Sequence, residues 1–116
     1  MKRQIAERSG RDAELKAADW LAKQGWQILA SRVRTSVGET DLIARNDKIV
    51  AFIEVKWRHD PAELDHAIDE RRLRRVAAAA ESIAHDYVQP GEDYRIDVIL
   101  LTPGRQPRHI VNAWQP

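Results

Sequence analysis

The chain has 116 residues, of which 43% are hydrophobic and 32% are charged, so one domain with a buried core is expected and a disordered chain is not. It has no cysteine, which excludes disulfides, thiolate zinc sites and cysteine nucleophiles. The 19 basic and 18 acidic residues leave a net charge of +1, so overall charge alone does not hold this protein on nucleic acid.

The first third of the chain predicts one helix followed by short strands. Alanine, leucine and tryptophan recur at helical spacing through residues 12–24, and Gly25 is a typical helix stop. Residues 26–29 predict a short strand, and residues 33–37 predict a polar connection or an edge strand. The N-terminal residues lack the apolar stretch of a signal peptide, and no apolar run approaches the ~18 residues of a membrane span. We therefore expect a cytoplasmic protein without a membrane partner.

The clearest prediction is a hairpin formed by strands at residues 40–44 and 49–56, joined by a turn at residues 45–48. If the loop centres on residues 46–47, Asp41 lies opposite Phe52 and Glu39 lies opposite Glu54. Because strand side chains alternate between faces, these acids then share one face with Lys56, and the other face is uniformly apolar.

The second half of the chain predicts a helix and two further strands. Residues 57–68 are polar and contain Pro61, which predicts a loop with at most a helical turn. A long helix is predicted to begin near Asp69, a typical N-cap, and to end at residues 89–91. Its buried stripe is predicted to comprise Leu73, Val76, Ala80, Ile83 and Tyr87. With strands at residues 94–101 and 109–114, the predicted fold class is a single α/β domain over residues 1–116, a central mixed sheet flanked by helices.

The acidic face of the hairpin carries the chemistry. Crowded carboxylates raise each other's pKa values unless a cation neutralises them, and hard oxygen ligands suit Mg²⁺ or Mn²⁺. The ammonium of Lys56, two residues beyond Glu54, can orient a water and stabilise negative charge on a phosphate. We expect Asp41, Glu54 and the main-chain carbonyl of Val55 to bind the ion, and Glu14 on the first helix to reach the same centre. A single Glu-x-Lys on a strand, or Glu14 alone, is more often simply solvated.

The basic residues allow two interpretations. Arg71, Arg72, Arg74 and Arg75 cluster on the second helix, where they predict either a DNA-binding surface or an ordinary solvated face with equal weight. Arg58, near Lys56, belongs to a second basic patch that includes Arg32 and Arg34. The histidines lack metal-ligand spacing and are interpreted as ordinary surface or loop residues: His59, His66, His85 and His109. Trp57 is expected to pack in the protein and not to stack on a base.

Two segments carry a family resemblance. Gly-Glu-Thr-Asp-Leu-Ile at residues 38–43 and Ala-Phe-Ile-Glu-Val-Lys at residues 51–56 resemble the signature of the bacterial YraN-like family, also called UPF0102. Weaker likenesses at residues 10–14, 94–98 and 109–114 extend the resemblance over nearly the whole chain. That family is similar to archaeal Holliday-junction resolvases and to the wider PD-(D/E)XK nucleases. The resemblance implies a restriction-endonuclease-like fold, magnesium dependence and action on DNA.

The resemblance also implies residue roles. Asp41 and Glu54 match the metal-binding acids, Lys56 the motif lysine, Glu14 the acid of the first helix, and Glu39 an accessory acid of the strand. Two positions depart from the pattern. The family commonly has Lys-Gln where this chain has Arg72 and Leu73, which removes an amide that could contact DNA or the active site. Thr40 replaces a frequent isoleucine, and we expect that change to affect packing only.

The prediction is therefore a Mg²⁺- or Mn²⁺-dependent DNA endonuclease acting on duplex or branched DNA such as junctions or flaps. A non-catalytic nucleic-acid-binding module with the same fold is the alternative, and a small protein-interaction domain is a third reading. The apolar run at residues 98–101 needs cover on both faces of its strand. A homodimer would supply that cover, as would the second helix and the last strand within one chain.

Overall fold

Five strands form one mixed sheet in the same order as they occur along the chain, β1-β2-β3-β4-β5. The computed structural model describes residues 2–115, and side chains are described from residue 10 onward. Strands β3 and β4 are parallel and are connected through α2, whereas the other neighbouring strands are antiparallel. The elements are α1 (Lys2–Lys23), β1 (Gln27–Arg34), β2 (Glu39–Asn46), β3 (Ile49–Trp57), a 3-10 helix (Pro61–His66), α2 (Glu70–Tyr87), β4 (Asp93–Leu101) and β5 (Arg108–Ile110).

One helix packs on each face of the sheet, which confirms the predicted fold class. The core between α1 and the sheet comprises Ala13, Ala17, Leu21, Leu42, Ala44, Ala51, Ile53, Ile99 and Leu101. The core between α2 and the sheet includes Ile43, Val50, Phe52, Leu73, Val76, Ala80, Val98 and Leu100. Phe52 is fully buried at the centre of the second core, where truncation to alanine would cost about 3–5 kcal/mol.

The first two elements differ from the prediction in extent. Helix α1 begins at Lys2 and not near residue 12, although it ends at Lys23, one residue from the predicted end. Gly25 follows with a φ of 97°, the left-handed conformation that favours glycine after a helix. Strand β1 is continuous from Gln27 to Arg34, so the short strand predicted at residues 26–29 is longer than expected, and of the two alternatives for residues 33–37 the edge strand is right for residues 33–34. Its polar residues reflect an edge strand whose outer side meets solvent.

The β2–β3 hairpin has the predicted faces but not the predicted register. Ile43 pairs with Phe52 and Asn46 with Ile49, so the strands are offset by two residues from the prediction that Asp41 would lie opposite Phe52. The turn lies at residues 47–48, one position later than predicted, and Asp47 adopts a φ of 55° there. A shift of two residues leaves every side chain on its predicted face, because strand side chains alternate with a period of two.

The second half of the chain follows the prediction closely. Asp69 is the N-cap of α2, since its Oδ1 accepts a hydrogen bond from Arg71 N at 2.9 Å. In the predicted stripe, Leu73, Val76 and Ala80 are buried, and Ile83 and Tyr87 are partly buried against the same core. The last strand is shorter than predicted: it ends at Ile110, shortly before Asn112 with its φ of 55°.

Strand β4 is covered on both faces within one chain. Val98 and Leu100 lie in the core under α2, whereas Ile99 and Leu101 lie in the core under α1, and all four are at most 6% exposed. The apolar run therefore does not require a second copy of the chain. Within the described residues, neither helix contains an uncharged apolar stretch as long as a membrane crossing needs.

Candidate active site

The candidate site lies where β2 and β3 separate. Their ladder ends at the pair Leu42 and Ile53, beyond which side chains replace main-chain pairing. The Thr40 hydroxyl lies 3.0 Å from the carbonyl oxygen of Leu42 and 3.2 Å from that of Ile53, and Val55 N donates to Asp41 Oδ2 at 2.8 Å. The expectation that Thr40 affects packing only was wrong, because its hydroxyl satisfies buried carbonyl groups at the point where the strands diverge.

Asp41 and Glu54 form a buried pair of carboxyl groups at this point. The side chain of Glu54 is 4% exposed and that of Asp41 is 17% exposed. Burial, followed by the negative charge of Asp41, raises the pKa of Glu54 from its ordinary 4.5 to about 7. Burial also raises the pKa of Asp41, although the N–H group of Val55 and the charge of Arg72 oppose the rise. The buried pair therefore holds a proton more tightly than exposed carboxyl groups would.

Two cations contact the pair. Lys56 Nζ lies 3.4 Å from Glu54 Oε1. Arg72 Nε donates to both oxygens of Glu54, at 3.1 and 3.0 Å, and Arg72 Nη2 lies 3.8 Å from Asp41 Oδ1. Arg72 Nη1 also contacts Glu39, and Glu39 forms a further ion pair with Arg75, whose Nη2 lies 2.9 Å from Glu39 Oε2. The sequence grouped Arg72 with a DNA-facing surface, whereas the structure places it inside the acidic cluster.

All four predicted catalytic residues line one cleft of about 460 Å³ between α1 and the end of β3. The polar lining residues are Glu14, Asp41, Glu54, Lys56 and Arg58. Glu14 is mostly buried, and its pKa is raised by burial and then by the charge of Asp41, whereas Arg32, 3.8 Å away, lowers it. Glu39 is not part of this lining; it borders a smaller cavity of about 100 Å³ that shares Glu14 and Asp41 with the cleft.

The donor set of the cleft is suited to a hard divalent cation. Among the described residues, no group of three or more aspartate, glutamate or histidine side chains converges closely enough to form a ready-made metal cage, so Glu14 does not complete such a group. Magnesium commonly uses only one or two carboxylates, with waters and substrate phosphate completing its shell. The Asp41–Glu54 pair meets that requirement, and its raised pKa values indicate that a cation would stabilise it.

The predicted DNA-binding arginines of α2 divide into two groups, and Arg58 lies apart from both. Arg72 and Arg75 are paired with acids of the site, whereas Arg71 and Arg74 are exposed, and the Arg74 guanidinium lies 6.0 Å from the ring centre of Trp114. Arg58 Nη1 donates to the carbonyl oxygen of Trp57 at 2.8 Å at the cleft edge. Their contact with DNA stays a prediction. Leu73 stands where the family commonly has glutamine, and its side chain is buried in the core under α2. In this chain the position therefore contributes to packing.

Gly38 is a positioning residue that the sequence did not single out on physical grounds. A Cβ at Gly38 would lie 1.9 Å from the carbonyl oxygen of Arg75 and 2.8 Å from its carbonyl carbon. Only glycine allows the start of β2 to approach the backbone of α2 so closely. This contact holds Glu39, the next residue, within reach of Arg72 and Arg75.

A second polar cluster, missed from the sequence, surrounds Asp97 on β4. Asp97 is fully buried and accepts hydrogen bonds from Arg95 Nε at 3.0 and 3.1 Å and from Asn112 N at 2.9 Å. His109 Nε2 lies 2.7 Å from Asp97 Oδ2, and the His109 ring packs edge-on against Trp20 and Trp26. The interpretation of His109 as an ordinary surface residue was therefore wrong. An aspartate inside an apolar strand is the pattern that could have revealed the cluster, because a buried charge requires partners.

Trp57 packs partly buried against the core under α1, as expected, with its ring centre 6.1 Å from that of His59.

Comparison with known proteins places the chain in a family. A solved structure of Hjc, a Holliday junction resolvase from Archaeoglobus fulgidus, is similar with a TM-score of 0.61 at 19% identity, over 89% of this chain and 72% of that one. That similarity shows a shared fold. UPF0102 proteins of Erythrobacter litoralis and Sphingopyxis alaskensis are 73% and 58% identical to this chain over the full length of both proteins. The profile of the Uncharacterised protein family UPF0102 matches residues 13–101, and the chain belongs to that family.

Proposed function

We propose that this protein is a divalent-metal-dependent DNA endonuclease that hydrolyses phosphodiester bonds in branched DNA, such as four-way junctions or flaps. The observation that carries the proposal is the buried Asp41–Glu54 pair with Lys56 Nζ 3.4 Å from Glu54, at the wall of an open cleft. The fold similarity to a Holliday junction resolvase supports the substrate class.

Each residue of the cleft has a role in this proposal. Asp41, Glu54 and the main-chain carbonyl of Val55 would hold Mg²⁺ or Mn²⁺, with Glu14 contributing through water. The ion, when bound, supplies Lewis-acid stabilisation of the charge on the phosphate. Lys56 offers three N–H donors, which can orient the attacking water and hydrogen-bond to a phosphate oxygen. In hydrolysis the water oxygen bonds to phosphorus while one phosphorus–oxygen bond to the sugar breaks, and the leaving oxygen takes a proton.

A cleavage assay with matched variants tests the proposal. Purified protein is incubated with duplex, flapped and four-way DNA in Mn²⁺, beside Lys56→Ala, Asp41→Asn and the control Glu81→Gln. Glu81 is an exposed carboxylate nine residues beyond Arg72 on α2. We expect cleavage of branched DNA by the parent and the control, and a loss of at least about a hundredfold in the other two, as is usual for groups that stabilise transition-state charge.

The alternative is a nucleic-acid-binding module that keeps the fold without turnover. It predicts no cleavage of any substrate at high protein concentration, with DNA binding by Asp41→Ala equal to that of the parent. The third reading, a protein-interaction domain, predicts no DNA binding at all. The intact set of Asp41, Glu54 and Lys56 around a cleft favours the enzyme over both.

The homodimer, which the family resemblance implies, also stays a proposal. The apolar run of β4 gives it no support, because that strand is covered on both faces within one chain. A four-way junction offers two symmetric strands, so cleavage of both would be served by a twofold pair. Light scattering with size exclusion distinguishes the states. A mass near the 13.3 kDa of one chain at every concentration, with junction DNA present or absent, would count against the dimer.

A further inference from the structure

Arg72 occupies the centre of the acidic cluster. Its Nε donates to both oxygens of Glu54, its Nη2 lies 3.8 Å from Asp41, and its Nη1 contacts Glu39. One guanidinium thus contacts three carboxylates, including both that are proposed to bind the metal ion. The side chain is only 29% exposed, so these contacts are screened less than a surface ion pair.

These contacts compete with a divalent ion. A metal ion that takes an oxygen of Glu54 must replace the hydrogen bonds of Arg72, and it brings two positive charges close to the guanidinium and to Lys56. Like charges about 4 Å apart repel strongly in a partly buried site, where the effective dielectric constant is far below that of water. An ion bound to Glu54 and the guanidinium of Arg72 in its present position would therefore repel each other.

Glu39 is a second carboxylate with which Arg72 can stay paired after it leaves Glu54. Glu39 lines the smaller cavity and not the main cleft, and it is held by Arg75 Nε and Nη2, at 3.1 and 2.9 Å from its Oε2. The helix itself is fixed, because Leu73 is buried and Gly38 packs against the carbonyl of Arg75. A change in the side-chain torsions of Arg72 that carries Nε away from Glu54 would release that carboxylate without moving the helix, while Nη1 keeps its contact with Glu39.

We propose that Arg72 is an exchangeable counter-ion of the acidic cluster: it holds Glu54 and Asp41 in the metal-free protein, and releases Glu54 when a divalent ion binds. It then stays attached to Glu39 at the edge of the site, with donors free for a substrate phosphate. This inference rests on the proposed function, because it requires that Asp41 and Glu54 bind a metal ion.

Manganese titration by calorimetry, with no DNA present, tests the exchange. Arg72→Gln removes the competing charge, so it should bind Mn²⁺ about tenfold more tightly than the parent. Arg72→Lys keeps the charge and should stay within about threefold of the parent. Arg75→Gln is the matched control, because Arg75 contacts Glu39 but neither proposed metal ligand; its affinity should equal that of the parent. Equal or weaker binding by Arg72→Gln would overturn the proposal.

Nuclear magnetic resonance on the unmodified protein provides a test that does not depend on a variant's folding. The Nε–H signal of Arg72 should shift on saturation with Mg²⁺. The Nε–H signal of Arg45 should not shift, because Arg45 does not line the cleft and its Nε is paired with Glu92 Oε2 at 2.8 Å. An unmoved Arg72 signal in a protein that binds Mg²⁺ would refute the exchange. Absence of binding heat in every protein would instead refute the metal site, and with it the proposed function.

Discussion

Replacing Glu54 by glutamine should remove a pH-dependent loss in the free energy of unfolding that occurs when no metal ion is bound. Glu54 is 4% exposed, and its pKa is raised from the ordinary 4.5 to about 7 by burial and by Asp41. A folded-state pKa above the unfolded value means that the folded protein holds the proton more tightly. The stabilisation is fully present below pH 4.5 and is lost as the pH rises towards 7.

The size of the effect follows from the two pKa values. Each unit between them corresponds to about 1.4 kcal/mol, so the interval from 4.5 to about 7 corresponds to about 3 kcal/mol. The proton is shared with Asp41, so this free energy belongs to the pair of carboxyl groups. The free energy of unfolding of Glu54→Gln, relative to the parent, should therefore increase by about 3 kcal/mol between pH 4 and pH 8.

Urea unfolding followed by tryptophan fluorescence, in chelator at several pH values, measures this difference. Glu39→Gln is a control of opposite sign, because a hydrogen bond from Arg75 lowers the pKa of Glu39. Glu39 thus contributes stability that is present above pH 4.5 and is lost as the pH falls through its lowered pKa. A difference between Glu54→Gln and the parent that stays constant from pH 4 to pH 8 would refute the argument that Glu54 is deprotonated at a cost.

Three further predictions concern other parts of the molecule. Gly38→Ala should destabilise the protein by about 1–3 kcal/mol in urea unfolding, because the added Cβ would overlap the backbone of Arg75. Gly10→Ala is the control, and it should not destabilise the protein because the space around Gly10 is open. Asp97→Asn should cost about 3 kcal/mol by removing the charge that Arg95 faces, without changing Mn²⁺ affinity; a loss below about 1 kcal/mol would contradict this. Arg71→Ala should lower the slope of log binding constant against log salt concentration by about one unit, the loss of one phosphate contact. An unchanged slope would favour the interpretation that Arg71 lies on a solvated face of α2 without touching DNA.

The amino-acid sequence was enough to predict most elements, though not all their bounds, and the faces of the hairpin, because those properties are local. Alternation along β3 places Glu54 and Lys56 on one face. Asp41 on β2 joins them whenever the register differs by an even number of residues, so the predicted face survived a register error of two residues. The N-cap at Asp69 and the buried stripe of α2 are likewise set by residues a few positions apart. The candidate catalytic residues could therefore be named before the structure was known.

Which charged side chains form ion pairs depends on the tertiary structure. Arg72 and Glu54 are 18 residues apart in the chain, and Arg72 and Glu39 are 33 apart, so no periodicity distinguishes Arg72 from the neighbouring arginines of α2. Their contact depends on how α2 crosses the sheet, which in turn depends on the packing of Leu73 and on the close approach of Gly38 to the helix. Ion pairs between distant elements arise from the sum of such contacts, and that sum exists only once the core has formed.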